Sequence, residues 1–329
     1  EAERLDVSLW VKHLLRDKEP TPSFTEAGFC FVLIMLLQFA AMKAFSRASL
    51  IVNESNAHFP PAIKILLIQQ LAIIACPALM MGIMLTTSMR RTFRLNLPDP
   101  KTLGVAIILP MALFPLAIEL KNRVAWFFQG MNIDDVLKNM LSDEMPLWLT
   151  LLAFAIAPAI CEELAFRGFV LSGFNNKKRT WLAIVLSSAA FGIMHMVPYQ
   201  VFNAFLMGLV LGMLAIRGNS LLACILFHVI NNSVSVLLAR YASEIAEPKF
   251  VHLIAKPNGG TIQFTPLALV LSASVAIPLI YWLARGVQQK TLQRIPETNP
   301  ETAAPPPPVA PRPVAAPRMP VHSNHPGPS

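Results

Sequence analysis

The feature that most constrains this chain is a succession of long apolar runs separated by shorter polar segments. Eight can be read: Ala27–Phe45, Ala62–Thr86, Leu103–Leu120, Leu147–Phe174, Trp181–Met196, Val201–Ile216, Leu221–Leu238 and Pro266–Ala284. A helix needs about 20 apolar residues to cross a hydrocarbon core of about 30 Å, and most of these runs approach that length. Lipid offers the backbone no water, so such runs must satisfy their own peptide groups, which helices do. The expected fold class is therefore all-α, a polytopic membrane protein with about eight transmembrane helices. A soluble alternative would need a charged shell, and only 14% of the residues are charged, against about 25% in globular domains.

The formal charge of +8 invites a nucleic-acid partner, but its distribution argues for the lipid bilayer instead. Lys12, His13, Arg16 and Lys18 precede the first run, and Arg90, Arg91, Arg94 and Lys101 separate the second from the third. Lys177, Lys178 and Arg179 follow the fourth, Arg217 the sixth, and Arg285, Lys290 and Arg294 the eighth. With eight crossings these all fall on one side. Asp134, Asp135, Asp143 and Glu144 fall on the other. The positive-inside rule then predicts a multi-pass protein of the cell (inner) membrane with both termini cytoplasmic.

The same pass divides the chain. Residues 1–26 form an N-terminal segment, with Leu5, Leu9, Trp10, Leu14 and Leu15 at near-helical spacing for a surface helix. Residues 27–120 hold the first three spans, 121–145 a non-cytoplasmic loop, 146–240 the segment richest in intramembrane polar groups, 241–265 a second loop, and 266–285 the last span. From 286 to 329 proline and alanine come to dominate, predicting a disordered cytoplasmic tail. Cys30, Cys76, Cys161 and Cys224 lie in apolar runs without metal-type spacing and read as packing residues.

Ionisable side chains inside spans are costly and mark functional candidates. Here they concentrate in three runs, as Glu162, Glu163 and Arg167, then His195, then His228 with Asn231 and Asn232. Glu163 and Arg167 stand four apart on one helix face, the acid first, which suits an ion pair. Glu162 is rotated by about 100° from Glu163 and has no basic residue at i+3 or i+4, so it is the carboxylate left for chemistry. His228 and Asn232 share a face. Glu162 as general base on a water, aided by His195, fits these residue types. His228 and Asn232 would then stabilise an oxyanion. Gln69 and Gln70 in the second run read as interhelical hydrogen bonders.

Depth poses a difficulty. Counted from Leu147, Glu162 lies about 22 Å into its helix, whereas His195 closes the fifth run near the same outer face. The two meet only if the membrane part of the fourth span begins near Phe154, or if helices tilt or break at Pro158.

The pattern Glu162-Glu163-x-x-x-Arg167, Phe191-x-x-x-His195, His228-x-x-x-Asn232 resembles the three motifs of the CPBP family, which includes the type II CAAX prenyl proteases and bacterial relatives linked to bacteriocin self-immunity. The similarity spans about Leu147–Leu238. It implies an eight-helix fold with an intramembrane active site and a peptide hydrolase acting on a membrane-associated protein or peptide. Glu162 and His195 would activate water, His228 and Asn232 would form the oxyanion hole, and Glu163 and Arg167 would support them. No cofactor is expected. A zinc variant, held by the glutamate and histidines, ranks below the metal-free one because no His-Glu-x-x-His run is present. Some bacterial members look like the C-terminal part of a fusion with an ABC transporter permease, and a start at Glu1 rather than Met adds an ABC transporter subunit to the expected partners. The alternative function is a non-catalytic membrane component, transporter-associated or immunity-type, that uses the polar cluster for structure or for binding a partner.

Overall fold

The computed structural model describes residues 19–48, 61–127, 145–175, 179–241, 252–258 and 261–292. These form helices and one small β-hairpin. The surface-helix segment 1–18, residues 128–144 of the first loop, Lys177, Lys178 and the tail from residue 293 lie outside the described residues.

The helices follow the apolar runs, and local chemistry sets their ends. Helix α1 (Phe24–Ala48) opens with a capping box: Ser23 N donates to Glu26 Oε2 at 2.7 Å and Glu26 N to Ser23 Oγ at 3.3 Å. Helix α2 runs through Pro61–Ile68, a π-helical stretch Gln69–Ala75 and Cys76–Leu85. Helix α3 (Pro100–Phe127) starts with proline at its first position behind Asp99, whose Oδ1 accepts from the Lys101 and Thr102 amides. Helix α4 covers Leu147–Phe174 without a break, but carries π-helical stretches at Leu152–Ile156 and Leu164–Val170. Helices α5 (Thr180–Met194), α6 (Pro198–Gly218), α7 (Leu221–Arg240) and α8 (Pro266–Leu292) complete the bundle. Among the described residues, seven helices are long and apolar enough to cross a membrane, while α5 has only 15 residues.

Two expected boundaries shift, and one predicted loop holds strands. α3 runs on to Phe127, so the first seven residues of the predicted 121–145 loop are helical. α8 continues to Leu292, past the predicted start of the tail at 286. The cause in both is the same: an apolar run marks what lipid covers, and the helix continues beyond it. In α8, Val287 is buried and Thr291 Oγ1 bonds Val287 O. The predicted loop 241–265 holds an antiparallel hairpin of β1 (Ala255–Asn258) and β2 (Thr261–Phe264), with Ala255 opposite Phe264. Phe264 packs edge-on against Phe114 of α3, and Asn122 Nδ2 bonds Ile262 O at 3.0 Å.

Contacts sort the helix ends into two groups. At one end, Thr87 N bonds Glu19 O, Leu221 N bonds Arg94 O, and Ser220 Oγ bonds Asn96 O. The guanidinium of Arg217 stacks on Trp282 of α8, 3.3 Å from the ring centroid. At the other end lie the hairpin against α3, Arg240 on Met145 O, and the α5–α6 turn. Two of the three apolar clusters among the described residues make up most of the core. One joins α3, α6, α7 and α8 around Leu109, Leu214, Phe227 and Leu283. The second joins α1, α2, α4 and α5 around Ile34, Ile74, Phe166 and Phe191. Phe29, Leu36, Ile83, Met111, Val270 and Ile277 remain exposed, as expected of side chains whose solvent is lipid tails.

Candidate active site

The π stretches shape the site. A π turn bonds i to i+5 and is one residue wider than an α turn, which re-aims the side chains beyond it. In α4 the Ala157 amide reaches Leu152 O and the Leu171 amide reaches Phe166 O. Side chains from other helices take up carbonyls of these stretches. Asn232 Nδ2 bonds Phe154 O at 3.3 Å, and Ser187 Oγ bonds Phe166 O at 3.0 Å. Arg94 donates to Arg167 O and, at 2.8 Å, to Ser172 Oγ. Arg94 reads from sequence as one of the basic loop residues, yet it is buried against α4.

Between the two π stretches stand the paired glutamates, both buried. Glu163 Oε1 accepts from Arg167 Nη1 and from His228 Nδ1, each at 2.8 Å. Arg167 lies over the Phe191 ring, 4.1 Å from its centroid. Buried charge is costly unless paired and bonded; Glu163 is paired and bonded through Oε1, while its Oε2 is buried without a partner. Glu162 faces another way: its Oε1 accepts from Gln70 Nε2 at 3.0 Å, and its Oε2 is 3.9 Å from His228 Nε2. That last gap is longer than a hydrogen bond and suits a bridging water.

The imidazole of His228 therefore stands between two carboxylates, its Nδ1 proton on Glu163 and its Nε2 toward Glu162. Asn232, one turn further along α7, is half-buried, and its Oδ1 accepts from Asn231 at 3.2 Å. His195 is also half-buried, just past the end of α5, where its Nδ1 bonds Phe191 O at 2.9 Å. A carbonyl only accepts, so Nδ1 carries the proton and Nε2 of the neutral ring is an open acceptor. No hydrogen bond joins His195 to Glu162 among the described residues. Phe191 stands between the two histidines, its ring edge-on to His195 at 4.9 Å and to His228 at 6.0 Å.

The short α5 removes the depth difficulty. Counted from the end that carries Thr180 and Phe174, Glu162 is twelve residues along α4 and His195 fifteen along α5. At 1.5 Å per residue these are about 18 and 22 Å, a difference of less than one turn. α4 need not break at Pro158, because α5 stops early. A tight turn follows: Val197 N bonds His195 O, Met196 has a φ of 58°, and Pro198 starts α6. Gly192 permits this, since a Cβ there would stand 2.7 Å from Val201 O.

Zinc would need several of these donors to converge. Among the described residues no three His, Cys, Asp or Glu side chains are grouped to hold a metal ion. The sequence reading missed Gln70 as a partner of Glu162. A glutamine inside an apolar run was the only signal, and it does not name its partner.

Residues 144–234 match the family model described as type II CAAX prenyl endopeptidase Rce1-like. The matched segment takes in α4 to α7 almost to the end of α7, and with them Glu162, Glu163, Arg167, His195, His228 and Asn232. It is the segment on which the three-motif resemblance rests, and the family is one of proteases. No curated protein and no solved structure gives a significant match to the chain.

Proposed function

We propose that this CAAX-protease-like membrane protein is an intramembrane endopeptidase that hydrolyses a membrane-associated protein or peptide with water activated by Glu162. One observation carries the reading: among the described residues Glu162 has no arginine or lysine partner and turns Oε2 toward His228 Nε2 at 3.9 Å, while its neighbour Glu163 takes up both Arg167 and His228 Nδ1 through Oε1.

In the proposed reaction, Glu162 Oε2 takes a proton from water as the water oxygen bonds the scissile carbonyl carbon. The carbonyl π pair moves to oxygen, and that oxyanion lies against His228 Nε2 and the Asn232 amide. His228 already has its Nδ1 proton on Glu163, so it donates from Nε2 only as the doubly protonated ring. Collapse of the oxyanion breaks the C–N bond, and the proton on Glu162 passes to the departing amine. His195, with Nε2 an open acceptor, orients the incoming water. Every step is written with groups of this chain and without a metal.

The basic end of the bundle is proposed to face the cytoplasm. Labelling of cysteines placed at Arg91 and at Lys256 from each side of the membrane tests this, and label entering Arg91→Cys only from outside would overturn it.

The activity itself is tested with protein in liposomes and a panel of membrane-anchored peptides, prenylated CAAX-type peptides among them, with and without a strong chelator. Cleavage that persists in chelator is expected. Cleavage abolished by chelator would overturn the metal-free mechanism. No cleavage across the panel by folded protein would favour the non-catalytic alternative.

A further inference from the structure

Glu162 is held from α2 by a residue outside the segment that matches the family. Gln70 is buried, and its Nε2 donates to Glu162 Oε1 at 3.0 Å across 92 positions of sequence. It lies in the π-helical stretch Gln69–Ala75, where the Cys76 amide reaches back to Leu71 O. The amide faces Glu162 with its nitrogen even though its own Oε1 is then buried without a partner. Leaving a buried acceptor unsatisfied is unfavourable, so the contact to Glu162 decides how the amide is turned.

Resting on the protease reading above, we propose that Gln70 is a positioning residue for Glu162. Its N–H fixes Oε1 and leaves Oε2 as the oxygen that takes the proton from water. An amide suits this task because it donates a hydrogen bond and does not take up the proton that Glu162 removes. A lysine or arginine in its place would neutralise the carboxylate and weaken it as a base. α2 brings no charge to this point, since its Lys64 is exposed. The charged and titratable groups facing or flanking Glu162 are His228 from α7 and Cys161, Glu163 and Arg167 from α4 itself. Fixing one oxygen also narrows the rotamers of Glu162, which favours the geometry of attack.

The test compares Gln70→Met, which keeps length but removes the N–H, with Gln70→Glu, which keeps length and polarity. Each is made in the wild type and in Glu162→Gln, and kcat, KM and melting temperature are measured on a cleaved peptide. Gln70→Met is expected to lower kcat roughly tenfold to a hundredfold, with KM within about threefold and the fold retained. Gln70→Glu, which also lacks the donor, is expected to lose kcat too. In Glu162→Gln neither change is expected to lower the residual rate further. Wild-type kcat in Gln70→Met, where Glu162→Gln has lost activity, would overturn this inference alone. So would an equal loss in the Glu162→Gln background. Full activity in Glu162→Gln would overturn Glu162 as the base and this inference with it, while leaving the protein a protease.

Discussion

Glu163 and His228 are joined by a hydrogen bond of 2.8 Å between Oε1 and Nδ1, and this bond fixes how the His228 ring is turned. The other nitrogen is the one turned toward Glu162. His228→Ala is expected to lower kcat by about a hundredfold to a thousandfold, the cost of a lost oxyanion donor. KM should change little. Steady-state kinetics on one cleaved peptide checks this, and a change confined to KM would assign His228 to substrate binding instead.

Arg167 has its counter-charge from Glu163 in a site where both are almost fully buried. Removing one member of such a pair leaves an uncompensated buried charge. Arg167→Ala should therefore destabilise the protein by about 3–5 kcal/mol, while replacing both residues by apolar ones of similar volume should cost less. Thermal and denaturant melts in one detergent test the order of the two variants.

At Gly192 an added Cβ would press on the Val201 carbonyl and on Phe205 Cβ, whereas at Gly104 nothing lies within 4 Å. Gly192→Ala should push α5 from α6, displace His195 and lower turnover. Gly104→Ala should be neutral or slightly stabilising, by up to about 1 kcal/mol, through helix propensity. Comparing the two turnover numbers checks it.

Asp99 caps α3, and the Thr102 hydroxyl bonded to its Oδ2 at 2.5 Å holds its carboxyl below the ordinary aspartate range. Its carboxylate therefore contributes stability at neutral pH that is lost as pH falls through the lowered value. Asp99→Ala should cost about 1 kcal/mol at pH 7. The difference from wild type should shrink only in acid, below the ordinary value of 3.8. Melting curves of both proteins across pH measure this.

Most helices were legible because their apolar runs are long; Leu147–Phe174 is read with the ends that the structure has. The i, i+4 spacing of Glu163 and Arg167 likewise foretells their contact, since one helix suffices to bring them together. Gln70 was not legible as a partner of Glu162, because only tertiary packing joins residues 92 apart. Arg94 reads as a water-facing loop charge, and nothing local tells that the widened turns of α4 offer carbonyls to it. The hairpin at 255–264 had a signal in Asn258-Gly259-Gly260-Thr261, a turn composition beside the alternation of Ile262 and Phe264. Its strands are only four residues each, too short to stand out from a loop.

The central claim is that Glu162 is the base. Glu162→Gln keeps the shape and an amide in place of the carboxylate, and its single-turnover rate in liposomes, on a peptide that the wild type cleaves, is the most direct measurement. The account predicts a fall of about a hundredfold to ten-thousandfold, the range of general base catalysis, with an unchanged melting temperature. A Glu162→Gln protein that cleaves at the wild-type rate would contradict it.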